Sequence, residues 1–180
     1  MESEGYAVRQ PDDSCVAYWD SAGSVWTCGY GTTGSSVTRD TRWTRDEALQ
    51  QLSIKWNEAR AGVLRASPCL ALPENANRLE AITDFAYNLG VGRYQGSSLH
   101  AYVDRQSWQQ AAEEFPKWRL AGGKILPGLV TRRARERTLF LSPLVGSSGV
   151  LATPPTVAST SVPSFGTLLM AFFRNLFGRS

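Results

Sequence analysis

Glu4, Asp20 and Thr27 put two carboxylates and a hydroxyl near the start of a chain of 180 residues. Two carboxylates on separate elements around a cleft can do general-acid and charge-stabilising work. One gives a proton to a departing oxygen. The other stabilises the positive charge that develops, attacks as a nucleophile, or helps to place a water, and a nearby hydroxyl can hold that water. A glycosidic bond is the substrate that such a set fits. Spacing alone does not single out these three residues, because Glu2, Asp12, Asp13, Asp40, Asp46 and Glu47 lie in the same stretch. Most acids are solvated surface groups. Gly29-Tyr30-Gly31 reads equally well as a bulged strand end, where glycine lets backbone approach closely.

Other chemistries find less support. The three cysteines, Cys15, Cys28 and Cys69, are an odd number and show no CxxC or Cys/His zinc spacing, which argues against a disulfide framework. One bridge plus a free thiol stays open. His100 is the single histidine and has no companion ligand, so neither a metal site nor a cofactor is expected. A net charge of +3 and a pI near 8.9 draw the chain to polyanions such as wall polymers, nucleic acid or anionic lipid. The densest basic cluster is Arg132, Arg133, Arg135 and Arg137, which helical spacing spreads around a helix, so no nucleic-acid partner is expected. Residues 1–5 contain no apolar stretch of the kind a secretory signal needs, and synthesis in the cytoplasm is expected.

The elements that must position these groups fall into two regions. Residues 6–31 read as β, with strand-forming runs at Val16–Trp19 and Val25–Tyr30 and turn signals at Pro11–Ser14 and Ser21–Ser24. Two hairpins in a small antiparallel sheet fit that pattern. From Thr44 the period becomes helical. Thr44 with Glu47 forms a capping box, and Leu49, Leu52, Trp56, Ala59 and Val63 share one face until Ser67-Pro68 ends the helix. Asn77 with Glu80 reads as a second helix start, with an apolar stripe of Leu79, Ile82, Phe85, Ala86 and Leu89 and a stop at Gly90. A short helix is expected after Ser97 and another after Ser107, the latter ending at Pro116. Gly122-Gly123 marks a loop, and Pro127 opens a last helix to about Leu141. About five helices after a small β region make an α+β domain with segregated layers.

Beyond this domain, assigned to residues 1–142, the composition changes. Residues 143–163 are uncharged and rich in Ser, Thr, Pro, Val and Gly, as a flexible linker would be. Residues 164–180 regain apolar character through Phe165, Leu168, Leu169, Phe172, Phe173, Leu176 and Phe177. That segment is too short to span a bilayer; it reads either as an amphipathic helix on a membrane surface or as a helix docked on the domain.

Several motifs in order resemble the phage lysozymes of glycoside hydrolase family 24. They are Glu4-Gly5-Tyr6, Ala17-Tyr18-Trp19-Asp20, the stretch GSVWTCGYG from Gly23 to Gly31, Phe85-Ala86-Tyr87-Asn88-Leu89-Gly90 and Ser97-Ser98-Leu99. Phe115-Pro116-Lys117-Trp118 with Gly122-Gly123-Lys124, and Gly128-Leu129-Val130 with Arg132, Arg133 and Glu136, complete the set. The resemblance covers about residues 4–141. It implies a lysozyme-like fold with an active-site cleft between the hairpin region and a mainly helical lobe. It also implies cleavage of the β-1,4 bonds between N-acetylmuramic acid and N-acetylglucosamine, by a host-lysing endolysin. Glu4 would be the general acid, Asp20 the second carboxylate and Thr27 the water-positioning hydroxyl. Asn88, Arg132 and Arg133 would bind substrate, although a helix cap for Asn88 and an ion pair with Glu136 for an arginine are competing roles. The partner would be peptidoglycan glycan strands, met by a monomer that reaches the wall after the membrane is breached.

The chain departs from the family pattern in three places. Glu4 and Asp20 are farther apart, with the extra residues around Pro11–Ser14. Asp20 and Thr27 are separated by one extra residue near Ser24. Thr32 stands where the family usually has His after GYG. The alternative reading is a catalytically impaired wall-binding protein with a membrane-active C-terminal helix.

Overall fold

Short strands form first along the chain because β-branched and aromatic residues alternate there between close turn signals. In the computed structural model, which describes residues 10, 12–21 and 23–142, β1 (Cys15–Val16) is followed by β2 (Tyr18–Asp20) and β3 (Val25–Thr27). Glu4, the linker read at 143–163 and the apolar segment read at 164–180 lie outside the described residues. β2 and β3 pair antiparallel in the register Tyr18↔Thr27, Trp19↔Trp26 and Asp20↔Val25. β1 takes a different partner, β4 (Arg42–Trp43), which the sequence did not lead one to expect. The run from Val25 to Tyr30 stops being a strand at Thr27. Cys28 then bridges Thr32 through reciprocal backbone hydrogen bonds of 3.0 Å, so residues 29–31 form a tight turn.

Around both insertions the described residues are held by local contacts. Gln10 N–H donates to the Ser14 carbonyl at 2.8 Å and Asp13 N–H to the Gln10 carbonyl at 3.0 Å, which closes a loop between Gln10 and Ser14. Asp12 braces that loop, accepting from the Ser14 hydroxyl at 2.6 Å and from Arg42 of β4 at 2.7 Å. The residue inserted near Ser24 is taken up in the β2–β3 turn, where Ser24 itself has a φ of 51°.

α1 (Arg45–Ala66) starts with the expected capping box. The Thr44 hydroxyl accepts from Glu47 N–H, and the Glu47 carboxylate accepts from Thr44 N–H at 2.8 Å. Its buried face is Ala48, Leu52, Trp56, Ala59, Gly62 and Val63, with Leu49 only half-buried, and it ends before Ser67-Pro68. Two 3-10 turns, Pro68–Ala71 and Pro73–Asn75, lead into α2 (Ala76–Leu89). This corrects the expected start at Asn77. Asn75 holds the cap position with no side-chain cap bond, while Asn77 lies inside the helix and donates to the Ser142 carbonyl at 3.2 Å. Gly90 ends α2 as expected.

α3 (Val91–Gln95) follows at once, then α4 (Ser98–Asp104) with Ser97 capping His100 N–H, α5 (Trp108–Ala112) and a 3-10 turn at Phe115–Lys117. Gly122 and Gly123, both with positive φ, form the two-residue turn of a hairpin between β5 (Leu120–Ala121) and β6 (Lys124–Ile125). That backbone twist favours glycine. α6 (Pro127–Leu141) closes the domain with Pro127 in its first turn.

The main core lies among the helices. Phe85, Tyr94, Leu99, Phe115 and Phe140 are fully buried there, with α2 packed between α1 and α6. The hairpin region has a smaller core of Cys15, Cys28, Val37 and Ala48. A third cluster, Leu52 and Trp56 of α1 with Tyr30 and Tyr87 packed on them, joins the two. The result is an α+β, mostly helical architecture. No described helix is long and apolar enough to cross a membrane.

Candidate active site

The register of the β2–β3 hairpin decides which side chains share a face. Successive residues on a strand point to opposite faces, so Tyr18 and Asp20 face the same way, as do their partners Thr27 and Val25. Trp19 and Trp26 take the other face, with ring centroids 5.5 Å apart in an edge-to-face contact. Asp20 and Thr27 are therefore diagonal neighbours on one surface, a carboxylate and a hydroxyl about 7 Å apart at the backbone. The Thr27 side chain is buried, and its Oγ1 has no hydrogen-bond partner among the described residues. Asp20 is half-buried at the strand end. Gly23 lets the turn fold tightly over it, because a Cβ at that position would sit 3.1 Å from Asp20 Oδ2. Burial, and then the Asp20 charge, push the Tyr18 hydroxyl pKa upward.

The turn after β3 is held from the helical lobe. The Tyr87 hydroxyl on α2 donates to the Tyr30 carbonyl at 2.8 Å, and burial raises its pKa to about 12, which keeps it protonated as a donor. Thr32, in the place of the family's usual His, is buried. A tyrosine from α2 therefore holds the turn that ends at Thr32. Sequence reading missed this residue, although Tyr87 stands directly before the singled-out Asn88.

One turn of helix away, α2 and α6 share a buried ionic network. Arg132 NH2 donates to Asp84 Oδ1 at 2.7 Å and its Nε to Asp84 Oδ2 at 3.2 Å. Arg133 NH2 donates to Glu136 Oε1 at 2.7 Å and to Asn88 Oδ1 at 2.9 Å, and its guanidinium lies 4.9 Å over the Phe85 ring. Burial, reinforced by the Asp84 charge, drives the Glu136 pKa well upward, while the two arginines oppose that. Asp84 is another residue that sequence reading passed over. Its signal was present: a carboxylate within the run Ala81–Ala86 on the buried side of a helix needs a cationic partner.

The structure thus brings Asp20 and Thr27 together on the hairpin, and Asn88, Arg132 and Arg133 together at the α2–α6 contact. Of these last three, Asn88 is exposed, Arg132 is engaged with Asp84, and Arg133 is fully buried against Glu136 and Asn88, so the expected ion pair with Glu136 is formed. Arg133 Nε and NH1 have no hydrogen-bond partner among the described residues. Glu4 lies outside the described residues.

Comparison with known proteins gives this geometry a context. The family model for phage lysozyme matches residues 13–136. The chain is 38% identical over 117 residues to the endolysin of Bacillus phage PZA, an alignment covering 65% of this chain and 44% of that protein. It therefore spans less than half the length of that relative. Against the endolysin of Salmonella phage P22 it is 31% identical over 140 residues, covering 74% of this chain and 91% of the other. Among solved structures, the muramidase domain of SpmX from Asticaccaulis excentricus superposes with a TM-score of 0.63 at 26% identity, covering 78% of this chain and 90% of that one. This chain belongs to the phage lysozyme family.

Proposed function

We propose that this chain is an endolysin-type peptidoglycan hydrolase that cleaves the β-1,4 bond between N-acetylmuramic acid and N-acetylglucosamine. The observation that carries this reading is the Asp20–Thr27 pair: a carboxylate and a buried hydroxyl with no hydrogen-bond partner among the described residues, side by side on one hairpin face. A hydroxyl in that state can accept and orient a water, and the adjacent carboxylate can stabilise the positive charge on the sugar as the bond breaks. Glu4 is the general acid in this scheme. Asn88 offers an exposed amide to the glycan, the fully buried Arg133 holds the oxygen of that amide, and Arg132, paired with Asp84, belongs to the same α2–α6 contact.

Membership of the phage lysozyme family, relatives named as endolysins and a structural neighbour named as a muramidase domain support the same reaction. The protein acts as a monomer on peptidoglycan, is made in the host cytoplasm and reaches the wall after the membrane is opened. Its segment 164–180 contacts the membrane surface.

Purified sacculi test the reading. The wild-type protein should release muropeptides with reducing ends. Glu4→Gln and Asp20→Asn should each lower release by roughly 10²–10⁴-fold while leaving the melting temperature unchanged. Anhydro ends would make the protein a lytic transglycosylase. Sacculus binding without any release would make it a wall-binding protein on this scaffold.

A further inference from the structure

We propose that Cys15 and Cys28 are a disulfide-forming pair, and that the bridge they make staples the β2–β3 hairpin into one covalent ring. Their sulfurs lie 3.4 Å apart, and both residues are completely buried. Cys15 opens β1, and Cys28 directly follows β3. The loop between them holds β2, the turn and β3, so Asp20 and Thr27 both fall inside the ring.

Cys69 cannot compete for either sulfur. It sits in the 3-10 turn after α1, packs against the other core and points its thiol at the Val103 carbonyl, 3.7 Å away. The three-cysteine count thus resolves into one pair and one free thiol. Two sulfurs already in van der Waals contact need only side-chain rotation to reach the bonding distance of about 2 Å.

The reaction is thiol–disulfide exchange with a small disulfide such as oxidised glutathione. One cysteine thiolate attacks a sulfur of the oxidant, whose S–S bond breaks and releases one thiol. The second cysteine thiolate then attacks the mixed disulfide, forms the Cys15–Cys28 bond and releases the second thiol. Two protein thiols are oxidised, one disulfide is reduced to two thiols, and the two protons pass to the released sulfurs.

Burial and the neighbouring Cys15 push the Cys28 thiol up to about 12, so few thiolates exist in the closed fold. Exchange therefore proceeds through opening of the two-residue β1–β4 ladder, or before that ladder closes during folding.

The test uses the full wild-type chain, refolded once in a glutathione redox buffer and once in excess reductant. Each sample is alkylated under denaturing conditions and mapped by mass spectrometry. The oxidised sample should yield one peptide cross-linked between Cys15 and Cys28, with Cys69 alkylated. It should melt roughly 5–10 °C above the reduced sample. Cys69→Ala should preserve both results. Three alkylated cysteines after oxidative refolding, a bridge that includes Cys69, or identical melting temperatures would overturn the proposal. None of these readouts depends on glycan cleavage.

Discussion

The hairpin region and the helical lobe are held together by different physics. The lobe buries large side chains: Phe85, Phe115, Phe140 and Tyr94 are all fully enclosed, and Phe115 meets both Phe85 and Phe140 edge to face, with centroids 5.8 Å and 5.5 Å apart. Among the described residues of the hairpin region, the buried apolar side chains are no larger than valine. Its centre is Cys15, Cys28, Val37 and Ala48, with Trp26, Trp43 and Tyr30 only partly covered. Short backbone ladders, a braced loop at Asp12 and one hydrogen bond from Tyr87 do the rest. The groups proposed for chemistry, Asp20 and Thr27, stand on the thinner region. A site on such a region needs support from outside, and the α1–α2 side supplies it through Trp56 and Tyr87.

The largest effect expected from breaking this arrangement lies in the lobe. Phe85→Ala removes a ring packed on Phe115 and Trp118 and beneath the Arg133 guanidinium. It should cost about 3–5 kcal/mol in denaturant unfolding. Amide exchange in the hairpin should change far less than exchange in α2, because the two regions do not share that core. Equal acceleration in both would mean that they open as a single unit and would collapse the contrast.

A smaller and more selective change is Tyr87→Phe. It deletes the hydroxyl that holds the Tyr30 carbonyl and leaves the ring packed beside Trp56. A single hydrogen bond of this kind is worth about 1 kcal/mol. The amides of Cys28 and Thr32, which bond reciprocally across the turn, should therefore exchange about fivefold faster while the global melting temperature barely moves. Hydrogen exchange read by NMR measures both. Unchanged protection at Cys28 and Thr32 would show that the turn needs no help from α2.

Where local chemistry sets the element, the sequence was enough. The Thr44–Glu47 capping box, the stop at Gly90 and the start of α6 at Pro127 each depend on residues within one turn of helix. The shared face of Asp20 and Thr27 follows from strand alternation once the hairpin is recognised. What was hidden depends on distant partners. β4 is two residues long and exists because β1 needs a partner.

The start of α2 was misplaced because two prolines each begin a 3-10 turn and deliver the chain straight into the helix. Asn75 then has φ −100° and ψ 9°, from which its side chain does not cap. The roles of Asp84, Arg132 and Arg133 require α2 to lie against α6, which no local pattern states. Glu4 rests on its motif alone.

The smallest expected effect tests the brace at the edge of the hairpin region. The Asp12 carboxyl is held down to about 2, first by hydrogen bonds from the Ser14 hydroxyl and N–H and then by Arg42. A carboxyl whose folded pKa lies below its unfolded value stabilises the fold above the unfolded value, and that contribution disappears as pH falls through the folded one. The window here runs from about pH 4 down to about pH 2. Asp12 is fully exposed, so solvent screens most of the effect. Asp12→Asn keeps an oxygen for Ser14 but removes the titration. Its melting temperature should therefore fall less steeply than that of the wild type between pH 4 and pH 2, and the two should run parallel above pH 5. If the acid limbs of the two proteins superimpose, the Asp12 carboxylate adds nothing to the loop between Gln10 and Ser14, which its backbone hydrogen bonds and the Arg45–Asp13 ion pair then hold.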